Sequence, residues 1–245
     1  MTGTLYIVPT PVGNMEDITL RAIRTLKEAD LILAEDTRTS GILLKHHGIS
    51  NRLMAHHKFN EHAAVAPIVE RLQAGQTIAL ISDAGTPGIS DPGFLLAREA
   101  AAAGITVQCL PGATAAIPAI VSSGLPCDRF CFEGFLPQKK GRTARLAELA
   151  QEKRTMILYE SPLRLAKTLR QLADSLGPDR QCTVCREISK LHNSSHHGSL
   201  AQLAETFTAQ PPRGEIVIVV AGKEPEEEAK TDKYAKFKNS TNLKS

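Results

Sequence analysis

Short β-branched and apolar runs recur along the first half of the chain: "TLYIV" at 4–8, "LILAE" at 31–35, "RLMAH" at 52–56, "TIALIS" at 77–82 and "ITVQCL" at 105–110. Between them lie segments whose apolar residues fall three and four apart, near 18–29, near 40–47, within 62–74 and near 92–103, and these read as helices. Gly48, Gly75 and Gly104 each follow such a segment, where a left-handed residue closes a helix. Strands alternating with helices predict α/β units built on a mostly parallel sheet.

The rhythm changes in "PGATAAIPAIVSSGLPCD" at 111–128, which is rich in small residues, glycine and proline and reads as a junction. Alternation then resumes with "RFCFEGF" at 129–135, a helix near 142–152, "TMILYES" at 155–161, a helix near 163–175 and "QCTVCREI" at 181–188. A short helix near 199–208 and the strand "GEIVIVVAG" at 214–222 follow. The expected organisation is an N-terminal α/β domain over 1–112, a junction over 113–128 and a C-terminal α/β domain over 129–222. Residues 223–245 are highly charged with almost nothing to bury, which predicts a disordered tail.

One loop carries the strongest chemical signal. "SDAGTPGISDPG" at 82–93 leaves the carboxyl end of a predicted strand, where open α/β sheets bind ligands. It runs into a helix for which Asp91 reads as N-cap and Pro92 as first helical residue. Its glycines let backbone groups approach a ligand closely, and its prolines limit the entropy lost on ordering. A phosphate cradle would add a lysine, but the first cation after Ser82 is Arg98, and the loop holds Asp83 and Asp91 instead. Those charges suit a ligand bearing amines, hydroxyls or a positive charge; S-adenosylmethionine has all three. The rival reading is a tight strand-to-helix turn with no ligand. Two further turns, "PTPVGN" at 9–14 and "PGATAA" at 111–116, also follow strands, so three loops are expected to converge on one crevice.

Composition narrows the class. Of 245 residues 42% are hydrophobic and 22% charged, ordinary values for a globular protein, and the net charge of +3 alone does not indicate a nucleic-acid partner. No apolar stretch is long enough to cross a bilayer and the start lacks a secretory pattern, so a cytoplasmic protein without a membrane partner is expected. Five cysteines are too few for a disulfide scaffold. "CDRFC" and "CTVC", followed by His192, His196 and His197, invite a zinc reading. Cys182 and Cys185, however, lie three apart in a predicted strand and point to opposite faces, so no metal is expected.

Nine segments in order, "VPTPVGN", "AEDTRTS", "FNEH", "SDAGTPGISDPG", "PGATA", "FEGFLPQKKGR", "YESPLR", "REISKLH" and "PPRGEIVIVV", span residues 8–220. Together they resemble the bacterial 16S ribosomal RNA (cytidine-2′-O)-methyltransferases of the tetrapyrrole-methylase-like superfamily. The resemblance implies two α/β domains with S-adenosylmethionine in the cleft between them, a homodimer, and methyl transfer to the ribose 2′-hydroxyl of a cytidine in 16S rRNA of the small ribosomal subunit. By position it places Pro11, Asp83, Gly85, Ile89, Asp91, Thr114 and Ala115 in the cofactor cleft, with Phe132, Leu158, Tyr159, Pro212 and Gly214 from the second half. One stretch departs from the family pattern: "NSSHHGSL" at 193–200 stands where acidic residues and an Arg-Gly are usual, so Asn193, Ser194 and His197 inherit no role.

Ribose methylation needs a group to take the hydroxyl proton. "AEDTR" offers Glu35, Asp36 and Arg38, and "FNEH" offers Asn60, Glu61 and His62. Asp36 or Glu61 is the expected base, with Arg38 orienting the acceptor; the competing roles are a helix cap for Asp36 and a first-turn acid for Glu61. Lys139, Lys140, Arg142 and Arg145 cluster as RNA-phosphate contacts, with Arg186 and Lys190 as further candidates; the bland alternative is a solvated turn. Two other functions fit the same fold: a methyltransferase acting on a small tetrapyrrole, and a non-catalytic module that retains the crevice.

Overall fold

The computed structural model describes residues 2–223; of the expected disordered tail over 223–245, all but Lys223 lies outside the described residues. The first half builds one sheet from β1 (Thr4–Ile7), β2 (Leu31–Ala34), β3 (Leu53–Ala55), β4 (Ile78–Ile81) and β5 (Thr106–Cys109). These strands lie in the order β3-β2-β4-β1-β5, every pair parallel. The connecting helices are α1 (Leu20–Glu28), α2 (Thr37–His46), α3 (Glu61–Gln73) and α4 (Phe94–Ala102).

Strand alternation sorts the core into two layers. Leu5, Leu31, Leu33, Ile78 and Leu80 pack against Ile68 and Leu72 of α3 and Leu96 of α4. On the other face Ile32, Ala79 and Ile81 meet Leu26 of α1 and Leu44 of α2. A sheet covered on both faces needs apolar strands throughout, which is why β2 and β4 are buried at every position. Gly48, Gly75 and Gly104 take φ of 60°, 93° and 72°, the left-handed closures their sequence positions predict.

The second half holds β6 (Phe130–Phe135), β7 (Thr155–Glu160), β8 (Gln181–Arg186), β9 (Ser194–Ser199) and β10 (Ile216–Val220), in the order β6-β7-β10-β8-β9. Here only β6 and β7 run parallel and the other three pairings are antiparallel. Helices α6 (Arg142–Leu149), α7 (Leu165–Leu176) and α8 (Leu200–Ala209) cover one face. The other face is covered by α5 (Ala116–Ser123), which lies inside the stretch the sequence marks as an irregular junction. Its alanines and Ile120 pack on Ile157, Val217 and Val219.

Three local expectations are corrected. The junction contains a helix, because small residues permit close approach to the sheet. Residues 194–199 form an edge strand, although polar "SSHHGS" carries little strand signal; its backbone pairs with β8. Helix α4 begins at Phe94 rather than at Pro92, with Gly93 (φ 130°) as its N-cap residue. Asp91 therefore caps nothing there. The Glu61 carboxylate accepts from the Gly93 N–H at 2.9 Å and terminates the helix from outside, while the Gly88 N–H bonds the Pro92 carbonyl.

Candidate active site

The three loops after β1, β4 and β5 are tied to one another. Thr10 and Gly85 exchange two backbone hydrogen bonds of 2.9 Å, and the Thr10 hydroxyl donates to the Ser82 carbonyl at 3.0 Å. The Thr86 hydroxyl reaches the Ala113 carbonyl at 3.4 Å. Gly85 holds φ at 79°, a conformation that side chains with a Cβ rarely adopt, so glycine is what lets this loop close on its neighbour.

These loops wall a cavity of about 380 Å³ that opens between the two sheets. Val12, Gly85, Ile89, Asp91, Thr114 and Ala115 line it from the first half; Phe135, Tyr159 and Gly214 face them from the second. The halves come close enough that a Cβ on Gly134 would stand 3.2 Å from the Ser90 hydroxyl oxygen.

Seven expected cofactor residues are thus brought together: Gly85, Ile89, Asp91, Thr114, Ala115, Tyr159 and Gly214. The other five stand elsewhere. Pro11 and Asp83 line a second, smaller cavity next door. Leu158 turns its side chain into the helix-covered core, because neighbours on a strand face opposite ways and Tyr159 takes the cavity side. Phe132 packs edge-on against Tyr159 with ring centroids 5.0 Å apart and, like Pro212, is not among the lining residues. Sequence reasoning missed Val12, Phe135 and the Glu160–Pro162 turn, although "YESP" marks a strand end opposite the loops.

Electrostatics favour a cation. Burial, reinforced by the Glu35 and Asp83 carboxylates, pushes Asp91 up to about 6. Glu35 and Asp83 are also raised, chiefly by burial. A carboxylate ionised against such pressure gains when a positive charge is placed beside it, and the Tyr159 and Phe135 rings add faces that attract a sulfonium or ammonium. Glycine-bordered backbone, acidic side chains and an aromatic wall fit S-adenosylmethionine. Asp91 would lie beside its positive groups, and Gly85, Thr114 and Ala115 would contact its polar atoms.

The raised Asp91 has a stability consequence. Well below the ordinary aspartate pKa of about 4, the carboxyl is protonated in folded and unfolded chain alike. As pH rises towards 6 the unfolded chain loses this proton first, so the ligand-free fold loses stability over that window. Asp91→Asn should therefore gain on the order of 1 kcal/mol at pH 7, after allowance for solvent screening of a half-buried group, and only a small fraction of that at pH 4. Urea denaturation at both pH values checks this.

The two expected bases have other partners. Asp36 caps α2, accepting from the Arg38 N–H at 2.8 Å, and also grips the Arg38 guanidinium at 2.7 and 3.1 Å. Those bonds hold its pKa at about 2, which makes it a weak proton acceptor. Glu61 is engaged with the Gly93 N–H and stands 4.0 Å from buried His56. Of the expected RNA cluster, Lys139 and Lys140 are exposed. Arg142 is buried, donating to Gln171, Thr168 and the Pro137 carbonyl, and Arg145 pairs with Glu133 and Glu148. Arg142 therefore serves the packing of α6 on α7 and offers no surface charge to RNA.

The second cavity, of about 200 Å³, shares Val12, Ala84 and Glu215 with the first. Thr39 and Ser40 of α2, with Thr10, Ser82, Asp83 and Lys190, complete its polar lining. Cys182 and Cys185 lie in different core layers, on opposite faces of β8. Among the described residues no group of three or more His, Cys, Asp or Glu is placed to hold a metal ion, and no helix is long and apolar enough to cross a membrane.

Comparison with known proteins fits this geometry. The Tetrapyrrole (Corrin/Porphyrin) Methylases family matches residues 4–204. Ribosomal RNA small subunit methyltransferase I of Synechocystis is 50% identical over 226 residues, covering 92% of this chain and 81% of that protein. The protein of the same name from Thermotoga maritima is 43% identical over 222 residues, covering 91% of this chain and 100% of the other. Among solved structures, uroporphyrin-III C-methyltransferase from Thermus thermophilus, complexed with S-adenyl homocysteine, superposes with a TM-score of 0.63 at 20% identity, over 89% of this chain and 97% of that one. At that identity the structural match establishes the fold alone. Fold, loop geometry and sequence similarity agree, and the chain belongs to the tetrapyrrole (corrin/porphyrin) methylase family, alongside the ribosomal RNA small subunit methyltransferase I proteins.

Proposed function

We propose that this protein is a cytoplasmic, S-adenosylmethionine-dependent methyltransferase that modifies the ribose 2′-hydroxyl of a cytidine in 16S rRNA of the small ribosomal subunit. The observation that carries this reading is the cavity between the sheets, closed by three cross-linked loops and lined with carboxylate where a nucleotide triphosphate site would be cationic. The ribosomal substrate is supported by the names of relatives close to half identical over nine-tenths of the chain. The tetrapyrrole alternative is supported by shared fold alone.

The donor, when bound, supplies a methyl carbon on a positively charged sulfur, and the carbon–sulfur electron pair returns to sulfur as that bond breaks. The chain's work is alignment and proton transfer. Loops braced by the Thr10–Gly85 bonds hold the reacting groups in line, which converts an encounter into an oriented reaction. The ribose oxygen bonds to the methyl carbon while its proton passes to a carboxylate. Glu35, Asp83 and Asp91 have the raised proton affinity this step favours, and Asp36 positions Arg38. Lys139 and Lys140 supply exposed charge for RNA phosphates. A homodimer accords with the exposed apolar side chains Ile117 and Val121 of α5 and Phe130 of β6, which a second copy would cover.

The test is transfer of labelled methyl groups to small subunits lacking the modification, with uroporphyrinogen III as control. Incorporation into ribose of 16S rRNA alone is the expected result. Methylation of the tetrapyrrole with none on RNA would overturn the reading.

A further inference from the structure

We propose that the second cavity receives the sugar–base unit of the target nucleotide, rotated out of the RNA, with its ribose hydroxyl facing the cofactor cavity across Val12 and Ala84. This inference rests on the functional reading above and adds where the acceptor binds.

Size is the first argument. A cavity of about 200 Å³ suits a single sugar–base unit, whereas four pyrrole rings with their acid side chains exceed it severalfold. Enzymes that act on one nucleotide of a structured nucleic acid commonly extrude it into such a pocket. The second argument is an incomplete polar wall. Ser40 is buried and its hydroxyl has no hydrogen-bond partner among the described residues. A buried hydroxyl left unpaired is unfavourable; Ser40 lines this cavity, and rotation about χ1 is the movement by which its hydroxyl would meet the donors and acceptors of a nucleoside.

The third argument is the way Lys190 closes the site. Its methylene stem crosses from the second half to lie over Gly13, where an added Cβ would fall 2.3 Å from Lys190 Cγ. Its ammonium sits 2.9 Å from Glu187 and 3.2 Å from Glu215. An ammonium has three donors, so one remains after those two carboxylates for an oxygen of the nucleotide. Asp83 lines the same cavity with one carboxylate oxygen accepting from the Asp36 N–H at 3.2 Å, and its neighbour Ala84 lines both cavities. That arrangement makes Asp83 the carboxylate that takes the hydroxyl proton as the oxygen–carbon bond forms and the carbon–sulfur bond breaks.

Ser40→Ala and Lys190→Met test the site by two readouts: methyl transfer against increasing undermethylated small subunits, and S-adenosylhomocysteine affinity by calorimetry. Ser40→Ala should raise KM for the subunits about threefold to tenfold, the weight of one hydrogen bond, without lowering Tm, because its hydroxyl has no partner to lose. Lys190→Met should raise KM by at least as much. Both should keep S-adenosylhomocysteine affinity within about twofold. An unchanged KM in both variants, or a loss of S-adenosylhomocysteine affinity in step with KM, would overturn the proposal. A wild type that binds no donor would instead overturn the functional reading beneath it.

Discussion

Gly85→Val should weaken S-adenosylmethionine binding by about a hundredfold or more, equivalent to roughly 3 kcal/mol. Gly85 sits at φ 79° and is bonded in both directions to Thr10, so the loop cannot relax without breaking the brace between two walls of the cavity. A β-branched residue is a steric outlier in this region of backbone space. Its Cβ alone would find room, 3.6 Å from Val12 Cγ1, so the damage comes from the backbone leaving its position and from the branch methyls entering the cavity. Gly48→Ala is the control. That glycine also has positive φ, at 60°, but an added Cβ meets nothing within 4 Å among the described residues, and the residue does not line the cavity. It should lose about 1 kcal/mol of stability and no cofactor affinity. Calorimetric titration of both variants, with circular dichroism as the fold check, separates the two effects. Wild-type affinity in Gly85→Val would show that the loop is only a turn.

Asp83→Asn should lower kcat by about a hundredfold while leaving cofactor affinity within a few-fold, the usual scale for losing a positioned base. Asp36→Asn should cost less than tenfold, since asparagine caps a helix about as well as aspartate and the main loss is the grip on Arg38. The pH profile distinguishes a base from a purely electrostatic role. A carboxylate must be ionised to accept a proton, so activity falls as pH drops through its pKa. Because burial raises Asp83, the acid limb of kcat should lie above the ordinary aspartate range in wild type and vanish in Asp83→Asn. Full kcat in Asp83→Asn at saturating subunits and cofactor would remove it from the chemistry.

The loops were legible because their punctuation is local. Glycine and proline after a β-branched run mark a strand end, and carboxyl ends of parallel strands share one edge of a sheet, so three such turns must meet. The absence of cations in "SDAGTPGISDPG" marked the ligand's sign, and the raised Asp91 agrees with it. Where expected residues fall outside the cavity, the cause is geometry that a linear pattern does not carry. Leu158 and Tyr159 cannot both face the cleft from one strand, a constraint of period two that motif matching ignores. Arg142 looks like surface charge beside Lys139 and Lys140, yet the first turn of α6 aims it at Thr168 and Gln171 of α7. The second cavity was invisible because it joins Ser40 to Lys190, 150 positions apart, across the two halves.

Helix α5 and strand β9 escaped for a related reason. Both take their structure from a partner: α5 from the exposed face of the second sheet, β9 from the free edge of β8. Neither has a strong pattern of its own. Placing α5 on that face also positions Thr114 and Ala115 at the mouth of the cofactor cavity, so the helix that sequence reading passed over is part of what orients the third loop.

The most direct measurement is a crystal structure of the protein with S-adenosylhomocysteine. The expected density lies between the two sheets, in contact with Gly85, Asp91, Tyr159 and Gly214, and leaves the smaller cavity beside Ser40 and Lys190 free of the ligand. Density elsewhere, with the space between the sheets filled only by solvent, would contradict the proposal that three braced glycine and proline loops hold the methyl donor.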